Sequence, residues 1–265
     1  MAQVKVLVLR AAGTNCDREM CYAFELAGAK PDLVHVNRLI EEPNLLERYQ
    51  ILALPGGFSY GDDIAAGKIL ANQLVHHFRR QVQRFVDDKK LVLGVCNGFQ
   101  VLVKAGLLPA VGTQPAIEGA DNNGIVQQAT ITYNDSGKFE DRWTYLQPGT
   151  NKCVFIDPER RIYLPIAHGE GKVCFADESI LQQVQADQVA FRYVDEAGQF
   201  GAYPVNPNGS VDHIAGLCDT TGRVLGLMPH PERFVHPTQH PRWTRQQVNQ
   251  PDGLAIFVNA MRYFD

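Results

Sequence analysis

The chain has 265 residues, 45% hydrophobic and 20% charged, which is ordinary globular composition with enough apolar material for a core that needs no disulfide or metal support. Its 25 basic and 29 acidic residues leave a formal charge of −4, offering no basic field to a phosphate backbone and arguing against nucleic-acid binding. There is no apolar run of about 18 residues or more, and Met1 to Leu9 leads at once into a strand-like stretch, so the expected location is the cytoplasm and not a membrane.

In chain order, Val4 to Leu9 is apolar on both faces, as a strand covered from both sides should be. Thr14 or Asn15 is placed to cap a helix that carries Cys16, Met20, Ala23, Phe24 and Ala27 on one side and stops at Gly28. Asp32 to Val36 reads as a strand, Leu45 to Tyr49 as a weak helix, and Ile51 to Leu54 as a strand halted by Pro55-Gly56-Gly57. A long helical periodicity runs from Ile64 to Asp88. It is followed by a strand at Leu91 to Val95 and a helix from Gly98 to Leu107. This alternation predicts an α/β fold with a doubly wound, mostly parallel sheet whose ligands bind at the carboxyl ends of the strands.

After Pro109 turn residues become dense and the runs short, which predicts an antiparallel extension. Strand candidates are Ala129 to Tyr133, Cys153 to Ile156, Ile162 to Ile166 and Val189 to Val194. His213 to Cys218 and Val224 to Met228 form a hairpin around Asp219-Thr220-Thr221-Gly222. Asp252 to Phe264 closes the chain as an amphipathic helix. Asn134-Asp135-Ser136 and Asn208-Gly209-Ser210 read as loops. With no linker or repeat, 1–265 is taken as a single domain.

Chemistry concentrates in three segments. In Gly94-Val95-Cys96-Asn97-Gly98 a strand turns directly into a helix, the arrangement of a nucleophile elbow. Glycines let the two backbones close up, and the helix N-terminus favours the Cys96 thiolate. The N–H of Asn97 is placed to donate to an oxyanion. In Met228-Pro229-His230-Pro231-Glu232 the prolines hold His230 extended, and Glu232, two residues on, can approach the imidazole and set its tautomer. In Pro55-Gly56-Gly57-Phe58 adjacent glycines can turn N–H groups inward, so Gly57 or Phe58 can supply a second oxyanion donor. The His168-Gly169 loop is open to either a pocket-lining or a plain turn role. Six cysteines without a C-x-x-C pair speak against a zinc site or disulfides, and Gly67-Lys68 fails as a phosphate loop because Ile69 and Asp62 stand where Ser/Thr and Gly are required. No ATP site is found.

Together these segments resemble the class I (triad) glutamine amidotransferases. Gly13-Thr14-Asn15-Cys16-Asp17, Phe58-Ser59-Tyr60-Gly61-Asp62, Cys96-Asn97-Gly98-Phe99-Gln100 and His168-Gly169-Glu170-Gly171 narrow the likeness to the glutaminase subunits that serve purine biosynthesis. A departure is Arg10-Ala11-Ala12, where an aromatic residue and a proline often precede the glycine. The resemblance implies a flavodoxin-like fold, with Cys96, His230 and Glu232 as catalytic residues and Gly57 and Asn97 as the oxyanion hole. Gly56, Phe58, Gln100 and His168 would contact glutamine. It further implies no metal and no cofactor in this chain. The partner it implies is an ATP- and Mg-dependent synthetase subunit making formylglycinamidine ribonucleotide, with or without a small accessory subunit. A triad amidotransferase for another acceptor and a non-catalytic regulatory subunit are the alternatives.

Overall fold

A computed structural model describes residues 3–111 and 127–265. The parallel strands are β1 (Lys5–Arg10), β2 (Lys30–His35), β3 (Ile51–Leu54) and β4 (Leu91–Val95). The later strands are β5 (Ala129–Tyr133), β6 (Glu140–Pro148), β7 (Ile162–His168), β8 (Glu170–Phe175), β9 (Val189–Val194), β10 (Ile214–Cys218) and β11 (Val224–Leu227). Nine of them form one sheet in the order β2-β1-β3-β4-β11-β10-β9-β6-β7, while β5 and β8 pair separately. The first five positions follow the flavodoxin-like order, with β11 in the fifth place after a long excursion of chain. β11 is parallel to β4, and from β10 outward the pairing is antiparallel, so the expected fold class holds.

Burial explains the central strands. Every residue of β3, β4, β10 and β11 is buried, because helices cover both faces of the sheet. α1 (Asp17–Leu26) and the last helix, here α7 (Asp252–Arg262), pack together, with Phe24 edge-on to Phe257 at 4.9 Å between ring centres. Between them in sequence lie α2 (Val36–Glu41), α3 (Lys68–Gln73), α4 (Arg79–Asp87), α5 (Asn97–Lys104) and α6 (Glu178–Asp187).

Several expectations need correction. The helix expected over 64–88 is broken. Gly67, at φ +72, starts α3 only at Lys68, and a π-helical turn at Leu74–Phe78 separates α3 from α4. A Cβ on Gly67 would come 2.9 Å from Val101 of α5, so this kink is where the two segments touch. Neither Thr14 nor Asn15 caps α1. Thr14 Oγ1 accepts from Ala11 N–H instead, and Cys16 occupies the cap position without a side-chain bond to the helix. Cys153 to Ile156 is a turn whose Val154 N–H donates to Gly222 in the β10–β11 hairpin. Leu45 to Arg48 belong to a 3-10 helix over Pro43–Arg48, and Tyr49 is its extended cap residue. α2, α6, β6 and β8 carry no expectation from sequence.

Candidate active site

Cys96 stands where β4 ends and α5 begins, at φ 51 and ψ −107. A non-glycine residue in such a region costs on the order of 1–3 kcal/mol, so the surroundings must over-determine it. They do so through close backbone packing. A Cβ on Gly98 would lie 1.9 Å from the Leu54 carbonyl oxygen, and one on Gly94 2.7 Å from that of Gly98. The Cys96 N–H donates to Leu227 of β11 at 2.7 Å, and Gly226 leaves room for the Phe99 ring, which a Cβ there would meet at 2.0 Å. The third glycine is a requirement of the elbow that its own motif does not contain.

The pairing of Val95 with Leu227 delivers His230 to the same sheet end. His230 N–H donates to Pro165 at 2.8 Å. His230 itself is extended, but Pro231 opens a short 3-10 turn over Pro231–Arg233, and this turn brings Glu232 back onto the imidazole. The Nδ1 to Oε1 distance is 2.6 Å with both side chains buried, so Nδ1 carries the proton facing the carboxylate. Nε2 has no hydrogen-bond partner among the described residues. Burial alone would push the imidazole down, yet the Glu232 carboxylate and the nearby Cys96 and Cys16 sulfurs carry it well above the ordinary histidine value. A Cβ on Gly56 would come 2.8 Å from His230 Cε1, 3.2 Å from Cys16 Sγ and 3.4 Å from Cys96 Cβ, so this glycine sits at the junction of all three side chains.

The loops after β1 and β3 are joined by a bridge between Thr14 and Gly57. Gly57 has φ +137, and a Cβ there would strike the Asn15 nitrogen at 2.7 Å. The Phe58 N–H is committed to Gly13 at 3.0 Å, whereas Gly57 N–H has no backbone partner among the described residues. That leaves Gly57 as the donor free to serve an oxyanion. The Asn97 side chain accepts from Ser59 N–H and donates to Asp62 and to Gln100, and Gln100 in turn donates to the Glu170 carbonyl at 2.6 Å. The strand-end loops therefore meet in one cleft of about 470 Å³, lined among others by Cys16, Gly57, Cys96, Gln100, His168 and His230. Phe58 lines it as well, half exposed, whereas Gly56, Asn97 and Glu232 stand behind its wall.

The far wall rests on residues that sequence reading left as loops. Asn134 and Asn208 are buried, not solvent-facing. Asn134 Nδ2 donates to the Lys138 and His168 carbonyls, and its Oδ1 receives Gly171 N–H and His168 Nδ1. Asn208 and Ser210 bond to the Gly171 carbonyl from the other side. Burial, then the charge of His230, push His168 down to about 3, so it stays neutral. Arg233 and Cys16 are further cleft residues to which the sequence assigned no role.

The cysteine elbow, the imidazole–carboxylate pair and the flavodoxin-like sheet define a triad amidotransferase. The chain belongs to the CobB/CobQ-like glutamine amidotransferase family, whose model matches residues 3–264. It is 46% identical to the phosphoribosylformylglycinamidine synthase subunit PurQ of Dehalococcoides mccartyi, over 99% of this chain and 98% of that one. The PurQ subunit of Archaeoglobus fulgidus is 38% identical, again over 99% and 98%. Among solved structures, a chain of PurLQS from Thermotoga maritima superposes with a TM-score of 0.73 at 29% identity, covering 99% of this chain and all of that one.

Proposed function

We propose that this chain is the glutaminase subunit of a phosphoribosylformylglycinamidine synthase, hydrolysing glutamine and passing ammonia to a synthetase subunit. The observation that carries the reading is Cys96 held on a strained elbow beside a histidine whose far nitrogen is locked to Glu232 at 2.6 Å. The PurQ relatives supply the pathway.

In this reading Cys96 attacks the carboxamide carbon as the thiolate, and the oxyanion is held by the N–H groups of Gly57 and Asn97. One such donor is worth about 3 kcal/mol of transition-state stabilisation. His230 passes its Nε2 proton to the departing nitrogen, which leaves as ammonia. A water then gives its proton back to His230 and attacks the glutamyl thioester, releasing glutamate and restoring the thiolate. Glu232 orients the ring and stabilises its charged form. Phe58, Gln100 and His168 border the glutamine, while Gly56, behind the wall, acts through the side chains it spaces and not by the expected contact with substrate. ATP and magnesium belong to the partner in this proposal, and this chain acts without cofactor or metal. We read residues 1–265 as one amidotransferase domain, a reading supported by the family match over 3–264 and by the insertion of β11 beside β4. No described helix is long and apolar enough to cross a membrane, and the six cysteines are free, in keeping with a cytoplasmic location.

Cys96→Ala tests the function. In the complex with its synthetase, formylglycinamidine ribonucleotide formation from glutamine is expected to vanish while formation from free ammonia persists. Glutamine-dependent synthesis that survives the substitution rules the assignment out.

A further inference from the structure

Three consecutive residues in the loop after β3 are left-handed: Tyr60 at φ 56, Gly61 at φ 73 and Asp62 at φ 55. Glycine accepts that region freely, whereas the other two need surroundings that hold them there. Tyr60 is held by its hydroxyl, which donates to Gln73 Oε1 at 2.9 Å. Asp62 is held by Gly67 N–H and Asn97 Nδ2, both donating to its Oδ1 at 3.0 Å. Its Oδ2 has no hydrogen-bond partner among the described residues, and Asp62 lines the cleft. The loop thus presents a carboxylate with one oxygen bonded and one open.

The elbow helix fixes where this carboxylate stands relative to the nucleophile. Asn97 Nδ2 also donates to Gln100 Oε1 at 3.1 Å, so the Asp62 carboxylate and the Gln100 carbonyl oxygen flank one amide group. Gln100 lies one helical turn beyond Cys96, its N–H donating to the Cys96 carbonyl at 3.1 Å, and a turn rises about 5.4 Å. Extended glutamine carries its α-nitrogen roughly 5 Å from the carboxamide carbon. With the carboxamide at Cys96, the α-nitrogen comes abreast of Gln100. The charges agree with that placing. Arg233, which donates to Cys16 beside His230, makes that side of the cleft hostile to an ammonium. On the Gln100 side the lining holds the carboxylates of Asp62 and Glu170. Lys104, outside the lining, donates to the Ala66 carbonyl and faces both of them, which leaves one of the two negative charges unbalanced. Burial pushes the Asp62 carboxyl up, and the bonds from Gly67 and Asn97 bring it only part of the way back.

We infer that Asp62 Oδ2, with Gln100 Oε1 beside it, accepts the α-ammonium of glutamine, so that Asp62 restricts the enzyme to an α-amino acid carboxamide. The inference deepens the glutaminase reading and rests on it.

The complex with its synthetase is assayed for ammonia release from glutamine and from glutaramate, the same carboxamide without the α-amino group. The parent is expected to prefer glutamine in kcat/KM by about a hundredfold or more, because glutaramate leaves the acceptor unpaired. In Asp62→Asn the amide oxygen keeps both Oδ1 bonds, since Gly67 N–H and Asn97 Nδ2 each require an acceptor, and an NH2 group replaces Oδ2. The preference for glutamine is then expected to fall by about tenfold or more. Asp62→Ser, which still offers Gly67 N–H an oxygen, gives the same comparison if the asparagine variant does not fold. A parent that takes both substrates alike, a folded variant in which both rates fall together and the preference stays, or a preference lost in Glu170→Gln and kept in Asp62→Asn each overturns the role of Asp62 and leaves the glutaminase standing. A parent complex that releases ammonia from neither substrate removes the glutaminase reading itself.

Discussion

His230 and His168 border the same cleft under opposite electrostatics. The Glu232 carboxylate raises His230, so its imidazolium survives to higher pH than a free histidine. Glu232→Gln removes that support, so the alkaline limb of the pH profile for glutamate release is expected to move to lower pH and the rate to drop by about 10²-fold or more. An unshifted limb would mean that Glu232 only fills space. His168 is held neutral down to about pH 3, so the folded state binds one proton fewer than the unfolded state between there and about 6.5. Its contribution is present above the unfolded value and lost as pH falls, with a slope of at most about 1.4 kcal/mol per pH unit. Denaturant unfolding at a series of acidic pH values should show that slope in the parent and a shallower one in His168→Gln.

Two glycines in the strand-end loops separate folding from chemistry at the scale of elements. At Gly98 a new Cβ meets the backbone of Leu54, which cannot yield, so Gly98→Ala should destabilise by about 1–3 kcal/mol or more in urea unfolding. At Gly56 it meets side chains, chiefly His230. Gly56→Ala is therefore expected to keep most of the melting temperature while losing about 10²-fold in kcat, since a displacement of roughly an ångström at reacting groups costs that much. The same distinction explains what was legible. β3 and β4 announce themselves because every side chain is buried, and the elbow because its glycines are local. β6 was hidden by Glu140, Asp141 and Arg142, whose charges mask the inward Thr144 and Leu146, and α6 buries only Leu181 and Val184. Asn134 and Asn208 do lie in loops, as expected, but their burial could not be read because their partners are carbonyls far away in the chain. Cys16 showed only as a residue on one side of a helix for the corresponding reason: its neighbours Arg233 and His230 come from the other end.

Over the whole molecule, the turn bearing His230 and Glu232 is braced by the C-terminal helix. A Cβ on Gly253 would meet the Pro231 carbonyl oxygen at 2.0 Å, and Asp252 receives Tyr163 N–H while pairing with Arg160. α7 is in turn fastened to α1 through Phe257 and Phe24. Phe257→Ala should cost about 3–5 kcal/mol of stability in denaturant unfolding despite lying outside the cleft. A loss below 1 kcal/mol, on the scale of an ordinary surface change, would show that the helix is not clamped there.

The place of β11 has a consequence for how the molecule comes into being. The strand that carries the base is nearly the last to be synthesised, yet it sits in the interior of the sheet, between β4 and β10. During translation the reactive sulfur is made long before the imidazole exists, and the two meet only when the late β10–β11 hairpin pairs with the early β4. Such non-local pairing is slow to form. The nascent chain is thereby disarmed: half-made copies carry the nucleophile without the means to use it, and ammonia release awaits an almost finished protein.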